Sequence, residues 1–381
     1  MVDDNMKKNV LIYTERWCSG GIESLLANLI KYLDKSKFNV EILVSQKETD
    51  IYNSILNGVS IEEILEKKCS NPFVRIFNTI IRFKKVIRNK KIDVIHINVY
   101  NGVGMVYAYM ARKMGIKNII VHAHNSGIDD DKFKIKAILH SICKKLFSKY
   151  ADNYIACSKE AANFCFKIPK NKNLTIINNG IDTERFKYNP EIREQYRKEF
   201  DVEKNLVIGN VGRFVEQKNH EFLLEVFWNI KKIKPEAKLL LVGSGTLEEI
   251  IKSKIKTLNI AKDVIILKER NDIQNILQAL DILCLPSKYE GLGIVAIEAQ
   301  ACGTKCVVSD GVPENALITP NIISISLKED AKTWTKKIIE FLDIESEKDM
   351  TKYIKTSGYD INENTKQIEK IYGQEKEKEQ L

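Results

Sequence analysis

The 381-residue chain contains no run of 18 consecutive apolar residues, so no segment of it is expected to cross a bilayer as a helix. Its first eight residues also lack an apolar stretch. Acids and lysines there lead directly into Val10-Leu11-Ile12-Tyr13, and no secretory signal peptide is expected. The eight cysteines form no C-x-x-C pair and sit mostly in apolar runs. That argues against a disulfide framework and for free, buried thiols in a reducing cytoplasm. Internal repeats, long low-complexity segments, recognised nucleic-acid motifs and the G-x-G-x-x-G fingerprint are all missing, which removes solenoids and leaves no sign of a nucleic-acid partner. The apolar fraction of 44% beside 29% charged residues excludes a disordered chain and a collagen.

What is present is enough length for two domains. Short apolar runs alternate with longer amphipathic stretches. The first half has runs at 10–13, 40–44, 94–98, 119–122, 154–157 and 175–177; the second has them at 206–211, 239–242, 264–267, 282–285 and 306–308. Apolar strands separated by helices predict parallel sheets covered on both faces, hence an α/β chain of two doubly wound units. The break is expected near 179–190, where Asn-Asn-Gly and a later proline punctuate the sequence. Ligands of such sheets lie beyond the carboxyl ends of the strands, so two units facing across a cleft would present those loops to a substrate. The last residues, 374–381, are almost wholly Lys, Glu and Gln and are expected to fray.

Charge is divided unevenly. Residues 1–190 hold 31 Lys and Arg against 19 Asp and Glu, a net of +12, while the remainder nets −3. A strongly basic half suggests an anionic surface as partner. Two amphipathic helices are expected at 73–91, with Phe73, Phe77, Ile80, Ile81 and Phe83 among seven Lys and Arg, and at 132–149, with Phe133, Ile138, Leu139, Ile142, Leu146 and Phe147 among six lysines. Such helices can lie on anionic lipid, or turn an apolar stripe inward and a basic back to solvent.

The loops that follow the strands carry the chemistry. Glu290-Gly291-Leu292-Gly293-Ile294 enters a helix that reaches Glu298. Glycines there let backbone amides approach an anion at a helix N-terminus, and two spaced acids can hold hydroxyls. Gly212-Arg213-Phe214 and Gln217-Lys218-Asn219 put two cations after the first strand of the second half, a pairing suited to a diphosphate. Gly20-Gly21, Gly243-Ser244-Gly245 and Arg270-Asn271-Asp272 occupy similar positions. His122 and His124 share a face of their strand, and with no third ligand evident a metal is not expected.

These motifs, with Gly20-Gly21-Ile22-Glu23, His122-Ala123-His124-Asn125-Ser126, Ala156-Cys157-Ser158 and Asn178-Asn179-Gly180-Ile181-Asp182, resemble family 4 of the retaining glycosyltransferases. The loops look most like the branch found in capsule and exopolysaccharide biosynthesis. The resemblance implies a GT-B fold: an acceptor-binding Rossmann-like domain at 1–187, a nucleotide-sugar-binding one at 188–358, and a C-terminal helix at 359–381 crossing back to the first. It implies transfer of a hexose or N-acetylhexosamine from a nucleotide diphosphate sugar, UDP-linked, to a lipid-linked glycan, with no cofactor and no metal. Arg213 and Lys218 would neutralise the diphosphate, Glu290 would hold sugar hydroxyls, Glu298 the ribose, and His124 would contact the donor sugar. Gly20, Gly21, Gly243, Arg270, Gly291, Leu292, Gly293 and Ile294 would complete the donor site. The chain departs from the family pattern at Lys268, often glycine, and near residues 304–305, where proline is common. The expected location is cytoplasmic and peripheral on the inner face of the cell membrane, with no nucleic-acid partner. A nucleotide-sugar epimerase of the same fold, or a non-catalytic basic binding module, are the alternatives.

Overall fold

Strands that bury both faces need apolar residues at every position, and the burial of the strands follows that rule. In a computed structural model the described residues are 7–18, 20–65, 72–125, 127, 134–345 and 347–374. Cys69, Ser126, Lys132, Phe133, the first six residues and those from 375 on lie outside them, as do the side chains of Phe73 and Arg75.

The chain divides into two compact units, residues 1–180 with 361–381, and residues 181–360. In the first, the strands are β1 (Lys8–Trp17), β2 (Phe38–Lys47), β3 (Ile61–Glu63), β4 (Val94–Val99), β5 (Asn118–Ala123), β6 (Asn153–Ala156) and β7 (Leu174–Ile176). They form one sheet in the order β3-β2-β1-β4-β5-β6-β7, each described pairing parallel. In the second unit, β8 (Val207–Val211), β9 (Lys238–Val242), β10 (Val264–Leu267), β11 (Ile282–Leu285), β12 (Lys305–Ser309) and β13 (Ile322–Ile325) form a parallel sheet in the order β10-β9-β8-β11-β12-β13. Each apolar run read from the sequence overlaps one of these strands. The two strands not anticipated, β3 and β13, are short edges with one neighbour each, so neither needs the continuous apolar signature.

Successive side chains along a strand serve opposite faces. On β1, Leu11 and Tyr13 enter one core cluster and Val10 and Ile12 another. On β11, Leu283 and Leu285 face one way and Ile282 and Cys284 the other. This double burial fits the two doubly wound units expected. The seven described cysteines are thiols, buried or half-buried.

The boundary between the units has a local physical basis. A Cβ on Gly180 would stand 2.6 Å from Asn364 Nδ2 and 3.0 Å from the Ile361 backbone, so only glycine fits there. Asn364 Nδ2 donates to the Asn178 carbonyl at 2.7 Å, and the Ile181 amide donates to the Tyr359 carbonyl at 2.8 Å. The helix Ile361–Gly373 then packs in the first unit, with Ile368, Ile371 and Tyr372 against the helix Gly21–Tyr32 and its core. Among the described residues no helix is long and apolar enough to cross a membrane.

Candidate functional site

In the second unit, the loops after β8, β9 and β11 come together because their backbones have no room for side chains. Gly243 has φ +142°, and a Cβ on it would lie 2.1 Å from the Gly212 carbonyl oxygen. Gly245 is pressed just as closely on the backbone of Phe214. The Gly212 amide donates to Val242 at 2.9 Å and the Phe214 amide to Ser244 at 2.8 Å. Gly243 therefore has a packing role of its own: it locks the Arg213 loop to its neighbour.

The short turn Glu216–Lys218 is stitched to the residues before Glu290. The Lys288 amide donates to the Gln217 carbonyl at 2.8 Å, and Gln217 Nε2 donates to the Tyr289 carbonyl at 2.9 Å. This brings Lys218 Nζ to 2.6 Å from Glu290 Oε1, with the two side chains only 13% and 8% exposed. Two residues read separately from the sequence are thus one ion pair. Arg213 is exposed and, among the described residues, has no side-chain partner.

Gly293, at φ +75°, caps the helix Ile294–Ala301, while Gly291 has nothing within 4 Å of where a Cβ would sit. The loop is therefore open at Gly291, while Gly293 is buried beside Val312 and Leu292 and Ile294 are partly buried against the core. Glu298 lies on that helix, half-buried, and no hydrogen bond of its carboxyl is seen among the described residues. Burial pushes that carboxyl up to about 8, with the Arg185 charge pulling the other way. A carboxyl that stays protonated can both donate to and accept from hydroxyl groups.

Arg270 lies in the loop after β10. Its guanidinium forks onto Asp272, Nε to Oδ1 at 2.8 Å and Nη2 to Oδ2 at 2.6 Å, and Tyr196 Oη also donates to Asp272. The Asp272 hydrogen bonds raise the pKa of Arg270 and lower that of Asp272. The fork is already occupied.

The first unit gathers a different set. Gly20 caps the helix Gly21–Tyr32, and its amide and carbonyl both engage Tyr52 Oη, at 3.2 and 3.0 Å. A Cβ on Gly20 would meet Glu23 Oε2 at 2.6 Å, so Gly20 makes room for a buried acid. Burial pushes Glu23 up to about 7, although Tyr100 Oη donates to it at 3.3 Å. Nothing in the sequence marked Glu23 beyond its place in the motif.

His124, just past β5, is buried, and burial pushes its imidazole down to about 4, partly offset by the Asn179 side chain. Its Nε2 is 2.8 Å from Asn98 Oδ1. Because Asn98 Nδ2 donates to the Tyr13 carbonyl at 3.1 Å, that oxygen is the acceptor and His124 Nε2 carries the proton. His124 Nδ1 then holds a lone pair, with Asn179 as the polar side chain nearby. His122 turns its Nδ1 to His96 Nε2 at 3.2 Å, and His96 Nδ1 meets Tyr372 Oη at 2.7 Å. Burial holds His96 and His122 well below the usual histidine range. Sequence reasoning gave His96 no role, since its partner Tyr372 is 276 residues away.

The chain matches known families along most of its length. Residues 19–185 match the Glycosyltransferase Family 4 model, and residues 191–357 match Glycosyl transferases group 1. A glycosyltransferase named EpsF from Bacillus subtilis is 27% identical over 99% of both chains. The Escherichia coli UDP-Gal:alpha-D-GlcNAc-diphosphoundecaprenol alpha-1,3-galactosyltransferase is 25% identical over 78% of each. The capsular polysaccharide biosynthesis glycosyltransferase CapH of Staphylococcus aureus is 24% identical over 93% of this chain and 95% of its own. Anabaena Alr3699/HepE, solved in complex with UDP-glucose, superposes with a TM-score of 0.69 at 17% identity, covering 96% of this chain and 97% of that one. With the two parallel-sheet units matched in turn by the two models, the chain belongs to glycosyltransferase family 4 and is a glycosyltransferase of the GT-B fold.

Proposed function

We propose that the protein transfers a hexose or N-acetylhexosamine, with retention of anomeric configuration and without a metal, from a UDP-sugar to a lipid-linked glycan in surface polysaccharide biosynthesis. The observation that carries this reading is the Lys218–Glu290 pair, on loops that also hold the open Gly291 and lead to the raised carboxyl of Glu298. The second unit would bind the donor and the first the acceptor. Relatives named for diphosphoundecaprenol-linked acceptors and for capsular polysaccharide support the acceptor class.

In this reaction the bond between the sugar C1 and the diphosphate oxygen breaks and negative charge grows on the leaving group. Positive charge already in place stabilises that change most, because it needs no reorganisation. Lys218 is held by Glu290, so its ammonium is positioned before the donor arrives. The exposed Arg213 adds a second, fork-shaped cation. Glu290 in turn keeps an oxygen for the sugar hydroxyls, and Glu298 accepts from the ribose. The acceptor hydroxyl bonds to C1 on the face the diphosphate leaves, and its proton passes to the departing phosphate oxygen. Neutral His124 offers its Nδ1 lone pair to a sugar hydroxyl, a contact that suits an uncharged imidazole.

The experiment is a panel of nucleotide sugars incubated with a membrane lipid extract and read by mass spectrometry. A single hexose or N-acetylhexosamine added to a lipid-linked glycan is the expected product. Conversion of donor to an epimer without acceptor would instead identify an epimerase.

A further inference from the structure

Two neighbouring strands of the first sheet repeat one contact with different outcomes. Side chains two apart on a strand share a face. β4 thus pairs His96 with Asn98, and β5 pairs His122 with His124, which stands just past its end. Each β4 residue meets the β5 residue 26 positions later. His96 Nε2 lies 3.2 Å from His122 Nδ1, and Asn98 Oδ1 lies 2.8 Å from His124 Nε2. In the first contact both partners are imidazoles, and either nitrogen can hold the proton. In the second the partner is an amide, and the amide is itself fixed.

Asn98 is buried and its side chain links three strands. The β1–β4 pairing ends with Tyr13 opposite Ile97, and there Asn98 Nδ2 donates to the Tyr13 carbonyl at 3.1 Å. Turning the amide over would bring two oxygens together, so Oδ1 stays towards β5. The His124 backbone is held as well. Its amide donates to the Val99 carbonyl at 3.3 Å, and the Cys157 thiol donates to its carbonyl at 3.5 Å. Around the imidazole stand His122, with ring centroids 4.1 Å apart, and Asn179. Among the described residues no charged side chain acts on the ring. The hydrogen bond at one nitrogen therefore decides which nitrogen keeps the proton.

The structure assigns Asn98 the part of a positioning residue: it holds the His124 proton on Nε2 and so keeps the Nδ1 lone pair for the substrate. This rests on the proposed contact between His124 and a donor-sugar hydroxyl. Asn98 acts only through His124. Without its oxygen the two neutral tautomers come close in energy, and part of the population turns an N–H towards that hydroxyl. In that part the hydroxyl loses its acceptor and the sugar is no longer held for reaction. The diphosphate contacts assigned to the second unit are untouched.

The test combines nitrogen NMR of the histidine rings with steady-state kinetics, both on the full chain at neutral pH. The His124 resonances, assigned by their loss in His124→Ala, are expected to show a protonated Nε2 and an unprotonated Nδ1. Asn98→Leu keeps the size of the side chain without its amide, and should move both resonances towards an average of the two tautomers. Its kcat should fall roughly 10–100-fold, with UDP affinity within about twofold of wild type. Asn98→Ala removes the same amide at smaller volume. Water entering that space can donate or accept, so the tautomer is again unset and the resonances should move the same way even if Asn98→Leu does not fold. A wild-type His124 protonated at Nδ1, or resonances unmoved in a folded Asn98 variant, overturns the proposal. So does a variant that mixes the tautomers yet keeps its kcat while His124→Ala has lost transfer. If His124→Ala also transfers at the wild-type rate, the sugar contact proposed for His124 falls and its pairing with Asn98 stands. The expected tautomer in a protein that transfers no sugar overturns the reaction and not the pairing.

Discussion

The two units carry polar groups of opposite character at the carboxyl ends of their strands. In the second, two ion pairs stand out, Lys218 with Glu290 and Arg270 with Asp272, beside the raised carboxyl of Glu298. In the first, they are buried and close to neutral. Glu23 is raised to about 7, His124 lowered to about 4, and His96 and His122 hydrogen-bond to one another. The contrast teaches that the same sheet architecture can carry two kinds of polar environment, which the proposed reaction would use for two kinds of ligand. Fixed charge suits a leaving diphosphate; neutral donors and lone pairs suit sugar hydroxyls. The surfaces differ too: among the described residues, exposed large apolar side chains at a spacing of four on acid-free helices are found in the first unit.

That contrast can be broken from several sides. The largest effect is expected at Lys218. Lys218→Ala removes a preorganised cation and should lower kcat/KM about 10²–10³-fold, measured with the donor identified by the product screen. It also leaves Glu290 without its partner, so a melting curve should accompany the kinetics. Next comes Gly243→Ala, whose methyl group would be driven into the Gly212 carbonyl. A loss of roughly 3 kcal/mol is expected by denaturant titration, with the Arg213 loop displaced.

In the first unit, Tyr372→Phe leaves His96 Nδ1 buried without its partner and should cost about 1–3 kcal/mol. UDP affinity should not change, because the substitution touches only the neutral network. A Tyr372→Phe protein with wild-type stability would show that the histidine chain is not organised as described.

The smallest effect is a pH dependence. Glu298 is raised to about 8 in the free protein, and ribose hydroxyls donating to it favour the ionised form. Binding then releases a proton, so UDP affinity should weaken below pH 8, approaching tenfold per pH unit. Glu298→Gln should flatten that profile. The stability sign is the reverse of a paired carboxylate's. A raised acid disfavours the folded state above its ordinary pKa, and the loss grows as pH climbs towards 8. Glu298→Gln should therefore stabilise the protein at pH 8, by roughly 1–3 kcal/mol.

The fold was legible where its physics is local. Strands such as β9 and β11 bury both faces and must be apolar throughout, so their sequences announce them. The edges β3 and β13 have one neighbour and need no such run. In the site, residue types were legible but their relations were not. Lys218 and Glu290 are 72 residues apart, and only the pairing of neighbouring loops makes them one group. Gly243-Ser244-Gly245 looks like a ligand loop, whereas the close approach of Gly212 and Phe214 is what demands its glycines. Glu23 and His96 owe their character to burial, which no short motif records. The basic helices show the same limit. Their apolar residues lie on more than one face, and only the packed unit decides that Phe83 turns inward while Phe77 and Ile81 stay outside.

The division of labour between the units is tested most directly by calorimetric titration of UDP into the wild type, Lys218→Ala and His124→Ala proteins. The account predicts that Lys218→Ala weakens UDP binding by at least about 30-fold, whereas His124→Ala leaves it within twofold of wild type. Unchanged binding in Lys218→Ala, or an equal loss in both variants, would contradict it.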